Sequence, residues 1–347
     1  MSGLRVVSPG LHTTVQDLGR FGAQHLGIPV SGAMDPVNLR LANLLAGNDE
    51  NGGAFECLVQ GPGFEVVAGS VRLALAGPGA RIEAVSGGRT VEIAGYRSFT
   101  LMAGDCVTVQ LGADAAVAYL AVGGGLALPH VMGSQATFSR GALGGYKGRP
   151  LRAGDEVPLV RGEAVPRAEL GMPAPDFAEP ARIRIMLGPQ DDYFSKSAIE
   201  TFLSQAYTIS LQSDRMGFRL AGPKLEHAKG FNIASDGIAP GAIQVPGSGE
   251  PIILLADRQT TGGYPKIGVV ISADLPALAR MQMGRTLSFQ AVGFDEARKA
   301  AAEFAGWFTN IKDTIRNVDD YGVIDLKALL EQNLIGGVVD AKVSLVD

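Results

Sequence analysis

Between two apolar runs, Pro251–Ala256 (PIILLA) and Ile267–Ala273 (IGVVISA), the chain places Asp257-Arg258-Gln259-Thr260-Thr261-Gly262-Gly263-Tyr264-Pro265-Lys266. Each flanking run is short, rich in Ile and Val, and reads as a buried strand. A turn needs only Gly, Pro or Asn to reverse the chain. This connection adds a carboxylate, a guanidinium, an amide, two hydroxyls, a phenol and an ammonium. Such polar excess at the end of a core strand marks a site built on a rigid scaffold. The plainer reading is a loop that satisfies its own backbone, with Asp257 paired to Arg258 or Lys266.

Two further clusters carry comparable chemistry. The first is His12-Thr13-Thr14-Val15-Gln16-Asp17-Leu18-Gly19-Arg20, followed by Ser31-Gly32-Ala33-Met34-Asp35. Asp17 and Arg20 are suited to orient a planar polar substrate through charge-assisted hydrogen bonds. They are equally suited to pin the N-terminal segment as a structural pair. Ser31 and Met34 have no structural duty evident in the sequence. The second cluster is Gln212-Ser213-Asp214-Arg215-Met216-Gly217, whose Asp-Arg step recurs at Asp257-Arg258. A carboxylate beside Arg stays ionised and orients a ligand, or acts as a base if its pKa is raised. Ordinary surface salt bridges would explain both steps with no function at all.

Three tempting motifs fail on detail. Gly141-Ala142-Leu143-Gly144-Gly145-Tyr146-Lys147-Gly148-Arg149 lacks the Gly-Lys-Ser/Thr order of a phosphate loop. Lys147 and Arg149 remain candidates for a bound anion. Gly123-Gly124-Gly125 lacks the strand–helix setting of a dinucleotide site. Met281-Gln282-Met283 has glutamine where biotin attachment requires lysine, so the chain does not carry biotin covalently.

The elements that position these residues follow from composition and pattern. The 347 residues suffice for two domains with substantial cores. Many glycines (47) among short Val/Ile/Leu runs predict numerous turns joining short strands, as in β barrels or sandwiches. Residues 1–160 and 181–293 each carry this pattern, separated by a Pro- and Ala-rich linker at 161–180. Asp35-Pro36 predicts a helix start and Gly47 its end. Asp192–Ser204 and Asp274–Met283 read as short helices, and Asp295–Val318 and Asp325–Leu334 give residues 294–347 a helical tail. This tail either packs on the second barrel or covers a partner surface.

The net charge of −5 offers no footprint for nucleic acid or an anionic membrane. Cys57 and Cys106 have no metal-like spacing, and the four histidines no zinc-like pairing, so no metal site is expected. Met1–Thr14 lacks the pattern of a signal peptide, and no apolar run approaches the ~20 residues of a membrane span. The expectation is a soluble cytoplasmic protein.

The assembled motifs resemble the biotin-dependent carboxyltransferase family, also described as allophanate hydrolase subunit 2. They are TTVQDLGRFG (13–22), GIPVSGAMDP (27–36), LANLLAGN (41–48), GSQATFSRGALGGYKGRPLRAGD (133–155), SDRMGFRLAGP (213–223) and GAIQVPGSGEPIILLADRQTTGGYPKIGVVISADLP (241–276). The resemblance is strongest to the branch of bacterial ATP-hydrolysing 5-oxoprolinase C subunits, related to KipA. It ends before Asp295. It implies a mainly β fold of two cyclophilin-like β-barrel domains facing each other across a cleft. It also implies a KipI-like B subunit and an A subunit as partners, with ATP used by the complex to open the lactam of 5-oxoproline to glutamate. Two alternatives stand beside this: a carboxyltransferase component moving CO2 from carboxybiotin to a urea-like or amide acceptor, and a non-catalytic KipA-like antagonist of an antikinase.

Urea, the ureido ring of biotin and the lactam share a planar N–C=O group. Reading it requires an acceptor for N–H and a donor for C=O, with charge stabilisation on the oxygen. On the resemblance, Lys266 and Arg258 stabilise the carbonyl oxygen or an acyl phosphate, and Asp257 orients the lactam nitrogen. Gln16, Asp17, Arg20, Ser31, Ser213, Asp214, Arg215, Gln244, Gln259, Thr260, Thr261 and Tyr264 form the substrate-binding set. The first cluster and the Asp257–Lys266 loop are expected on opposite walls of one pocket.

Overall fold

Alternation of side-chain size builds the N-terminal half. In the strands Ala54–Leu58, Ser70–Ala76 and Val117–Val122, one face carries Phe55, Leu73, Leu75, Leu120 and Val122. The other carries Ala54, Ala74, Ala76, Tyr119 and Ala121. Successive strand side chains point to opposite faces, so this size pattern fixes which neighbour each face accepts. The large set fills a core with Leu4, Phe64, Ile82 and Val107, where the Phe55 and Phe64 rings lie 4.8 Å apart. The small set lets helix α1 (Pro36–Ala46) press Leu41 and Leu45 onto the sheet. As the sequence predicts, Asp35 caps α1 by accepting from the backbone N–H groups of Val37 and Asn38, and Gly47 ends it at φ 80°.

The computed structural model describes residues 3–318 apart from 114, 178 and 179. Two sheets enclose the first core. One runs Glu156–Pro158, Gly3–Ser8, Gly63–Val66, Cys106–Gln110, Arg81–Ser86, Arg89–Ala94 in spatial order. The other runs His12–Gln16, Ala54–Leu58, Val117–Val122, Ser70–Ala76, Arg97–Met102, Leu170–Gly171, Arg316–Asn317. In the second half, one sheet curls nearly into a barrel: Thr286–Leu287, Tyr207–Ile209, Gly217–Ala221, Ile252–Leu254, Ala242–Gln244, Lys266–Val270, Ile183–Leu187, Phe289–Ala291. Phe202, Tyr207 and Phe289 pack inside it, with Phe202 and Phe289 stacked at 4.4 Å. The mainly β fold read from the sequence is the fold observed.

The remaining elements refine the expectation. Helix α2 (Lys196–Ser204) starts at the cap Ser195, later than Asp192, because residues 191–193 take a separate 3-10 turn. Helix α3 spans Leu275–Arg280. Within the linker segment, Glu169 accepts from Arg72 Nε at 3.0 Å, and Leu170–Gly171 adds a strand to the N-terminal sheet. Helix α4 (Phe294–Lys312) packs on α1 in the N-terminal half, with the Arg40 guanidinium 3.8 Å above the Phe308 ring, while Ala300, Glu303 and Phe304 line a cavity shared with Arg184 and Ala277 of the second half. The chain then adds the strand Arg316–Asn317 beside Leu170–Gly171 instead of continuing the helix to Val318. The expected helix at Asp325–Leu334 lies outside the described residues. Among the described residues, no helix is long and apolar enough to cross a membrane.

Candidate functional site between the two halves

The site is built around one guanidinium. Arg215 sits at the entry to the strand Gly217–Ala221, where Asp214 Oδ1 accepts from Met216 N–H at 2.8 Å and tightens the turn. From there the side chain reaches across to the other half. Its Nε and Nη2 donate to the two Asp257 oxygens at 2.9 and 3.0 Å, and Nη2 also donates to Gly32 O at 2.7 Å. Nη1 pairs with Glu56 Oε1. Glu56 Oε2 accepts from Tyr119 Oη at 2.6 Å and from Met34 N–H at 2.8 Å. All three charged groups are buried, and Glu56 is 0% exposed. Both carboxylates are thus charge-paired away from water, an arrangement costly to break from one side.

Backbone close approach makes the Gly32 contact possible. Gly32 has φ +81°, and a Cβ there would lie 2.8 Å from Gly19 Cα. Only glycine fits both the dihedral and the gap. The segments 18–20 and 30–32 consequently lie against each other, with Arg20 N–H donating to Val30 O at 2.7 Å.

The electrostatics follow from burial and pairing. Burial pulls the Arg215 pKa down, but Asp257 and Glu56 outweigh it and hold the guanidinium above its ordinary value. Burial, reinforced by Glu56, raises the Tyr119 phenol well above its usual range, so it remains a donor. His12 is lowered by burial and then by the Arg215 charge, which outweigh the pull of Glu56 and Asp257. Arg20 is lowered by burial, against the opposing charges of Asp17 and Asp257.

A cavity of about 230 Å³ opens onto this network, lined by His12, Ser139, Arg140, Ser213, Arg215 and Asp257 among others. Arg140 of the N-terminal half and Asp214 of the C-terminal half close its rim with an exposed ion pair at 2.9 Å. A second, apolar cavity of about 380 Å³ adjoins it, with Met34, Leu211, Phe218, Met281 and Met283 in its wall. Leu11, Leu58, Val59, Asp214, Arg215 and Met283 belong to both. The arrangement suits a small ligand with a planar polar head, met by Asp257 as acceptor and Ser213 as donor.

The structure divides the residues read from the sequence into three groups. Ser213, Asp214, Arg215 and Asp257 line the cavity. Gln16, Asp17, Arg20 and Ser31 lie in buried positions. Asp17 accepts from Gly19 N–H, Ser134 Oγ and Gln135 N–H at 2.6–2.8 Å. Gln16 donates to Thr14 Oγ1 and Thr137 O, and Arg20 to Val131 O and Ala136 O. These residues pin the segment 131–137; Asp17 and Arg20 do so through separate partners. Gln16 Oε1, Arg20 Nη1 and Ser31 Oγ are nevertheless buried without a hydrogen-bond partner among the described residues. Asp257 lies within electrostatic reach of Arg20, but none of Gln16, Asp17, Arg20 and Ser31 lines the cavity.

The rest of the Asp257–Lys266 loop turns elsewhere. Lys266 Nζ donates to Asp236 Oδ2 at 2.7 Å and to Gly237 O at 3.4 Å. Arg258 donates to Ile238 O and Leu255 O at 3.1 and 3.2 Å. Gln259 donates to Gln244 Oε1 at 3.2 Å, Thr260 O accepts from Ile238 N–H, and Thr261 pairs with Gly237. Tyr264 is partly exposed at the loop tip, beside its carbonyl's contact with Gln244. Arg258 and Lys266 are thus committed to holding the segment 236–238.

Sequence reasoning passed over Glu56 and left His12 and Arg140 out of the candidate set. The signal for Glu56 was present: it is the one charged residue in the strand AFECL, on the face shared with Ala54. An acidic side chain on a face made for a helix has to find a buried partner.

Comparison with known proteins fits this geometry. Residues 26–291 match the model of the carboxyltransferase domain, subdomain A and B. The 5-oxoprolinase C subunit of Escherichia coli (strain K12) is 35% identical over 90% of this chain and 99% of its own length. That of Haemophilus influenzae is 38% identical over 82% of this chain and 90% of its own. The crystal structure of the K. lactis urea amidolyase superposes with a TM-score of 0.77 at 28% identity, covering 90% of this chain and 21% of that one. With its two β halves joined through a shared buried guanidinium, the chain belongs to the carboxyltransferase-domain family, subdomains A and B.

Proposed function

We propose that this chain is the C subunit of an ATP-dependent 5-oxoprolinase, acting with the A and B subunits to open the 5-oxoproline lactam to glutamate. The near full-length likeness to two 5-oxoprolinase C subunits supports the assignment. The observation that carries the chemistry is the cavity of about 230 Å³ between the halves, sized for a small cyclic amide and lined by Asp257, Arg215, Ser213 and His12. Asp257 accepts from Arg215 with both oxygens and keeps further lone pairs on the cavity side. Ser213 supplies a hydroxyl toward the carbonyl. Lys266 and Arg258 support the loop in place of contacting the oxygen.

The Gly141–Arg149 loop does not fit ATP phosphates. Arg149 is held bidentate by Asp155 at 2.7 Å through both nitrogens, which removes it as an anion ligand. We therefore assign nucleotide binding to one of the partner chains. The decisive assay co-purifies this chain with the A and B subunits and follows glutamate release from 5-oxoproline. ATP-dependent release that is lost when this chain is omitted supports the assignment; no release with all three chains present overturns it.

The adjoining apolar cavity favours one second reading, a carboxyltransferase component, because carboxybiotin pairs a planar ureido group with an apolar ring and chain. That reading requires a separate biotinylated carrier. It predicts carboxylation of an amide or urea acceptor only when that carrier is added.

A further inference from the structure

The cavity between the halves holds several ionisable groups, and almost all are already engaged. Asp257 gives both oxygens to Arg215, and Glu56 gives one oxygen to Arg215 and the other to Tyr119 and Met34 N–H. Asp214 pairs with Arg140 across the rim. Behind the wall, Asp17 accepts from three donors, and at the far end of the loop Lys266 is bound to Asp236. His12 is the exception. It lines the cavity, and its buried Nδ1 has no hydrogen-bond partner among the described residues.

The position of His12 is fixed by the sheet. It opens the edge strand His12–Gln16, where its backbone pairs with Leu58. The charged groups acting on it are Arg215, Glu56 and Asp257, with Arg140 and Asp214 in the same cavity wall. Burial and Arg215 keep the ring neutral near pH 7, the form able to take up a proton.

We propose that His12 is a catalytic residue whose Nε2, the ring nitrogen left by the enclosed Nδ1, exchanges a proton with the amide bound in this cavity, an inference that rests on the amide-binding reading above. A planar amide becomes a nucleophile when its N–H bond breaks and the electron pair spreads over N–C=O. The proton passes to His12. The amide oxygen then attacks the terminal phosphoryl group of the nucleoside triphosphate presented by the partner chain, expelling the nucleoside diphosphate. Water adds across the C=N bond, its hydroxyl going to carbon and its proton to nitrogen. The ring C–N bond then breaks, and His12 returns its proton to the departing nitrogen. A second water displaces phosphate from the resulting acyl phosphate to leave the carboxylate.

The test uses the assembled complex with 5-oxoproline and ATP. His12→Gln is expected to lower kcat about a hundredfold with KM little changed, the size typical of a lost proton-transfer group. The acid limb of the kcat/KM profile should vanish with it. His12→Ala should regain turnover on addition of imidazole, in proportion to the free base, which a packing role would not produce. Unchanged kcat in His12→Gln, or loss that imidazole does not restore in a folded His12→Ala complex, overturns the proposal. Histidine-ring NMR of the full chain, with resonances assigned by His12→Gln, separates this outcome from failure of the oxoprolinase reading. If the complex releases no glutamate, movement of the His12 resonance by added 5-oxoproline, biotin or urea still supports the assignment. A resonance unmoved by all three overturns it.

Discussion

A guanidinium shared by carboxylates from opposite halves of a protein is expensive to remove from one side only. Arg215→Met strands Glu56 and Asp257 in a buried setting, and removal of one partner from such a pair costs about 3–5 kcal/mol. Urea denaturation should show this as a lower midpoint, and adding Glu56→Gln to Arg215→Met should recover part of the loss. Recovery of nothing would mean that Glu56 is not the stranded charge. His12 makes a second prediction with a definite sign. Its folded pKa lies below the unfolded value, so the unfolded chain binds more protons in the acidic range. The stability contributed by the neutral ring is complete above about pH 6.5 and is lost as pH falls through the lowered folded pKa. His12→Gln should therefore flatten the decline of stability between pH 7 and 5, as measured by thermal unfolding. At this scale the sequence was only half legible. Asp257 and Arg215 stood out as polar residues at strand ends, whereas Glu56 was masked by its place inside an apolar strand. Lys266 was legible as a charge but not as a committed one, because Asp236 lies 30 residues away along the chain.

At the scale of elements, helix α1 carries more than its own cap. Asp35 caps the helix, accepts from Asn38 Nδ2 at 2.7 Å, and pairs with Arg280 at the end of α3 at 3.0 Å. Asp35→Ala removes all three, so its cost should exceed the ~1 kcal/mol typical of a lost cap. Asp35→Asn keeps a capping oxygen and should recover part of it; equal losses for the two variants would show that the charge is what matters. The sheet beneath α1 is equally demanding. Ala74→Leu drives a larger side chain into the helix–sheet contact and should cost about 1–3 kcal/mol, read from the denaturant midpoint. Helix α1 was legible because its signals are local: Asp-Pro at one end, Gly at the other, leucines at helical spacing between them. The strands Leu170–Gly171 and Arg316–Asn317 were not, because each is defined by a partner remote in sequence. The same reason hid the docking of α4 on the N-terminal half.

At the scale of the whole molecule, the contacts across the cleft differ widely in worth. The Arg140–Asp214 pair on the rim is exposed on both sides, and such pairs contribute well under ~1 kcal/mol and fade with salt. Arg140→Ala should leave thermal stability nearly unchanged while altering the salt dependence of ligand association with the cleft, measured by stopped-flow mixing. The buried contacts act otherwise. Arg215 joins Glu56 to Asp257, and Arg280 joins Asp35 to the second half, so each half holds charges that only the other neutralises. A calorimeter should accordingly record one unfolding transition instead of two, with van't Hoff and calorimetric enthalpies in agreement. Had the gene been cut at the linker, neither product would be a self-sufficient folding unit. The two halves would have to be made together, and any recombination of one with a foreign half would inherit an uncompensated charge at its centre.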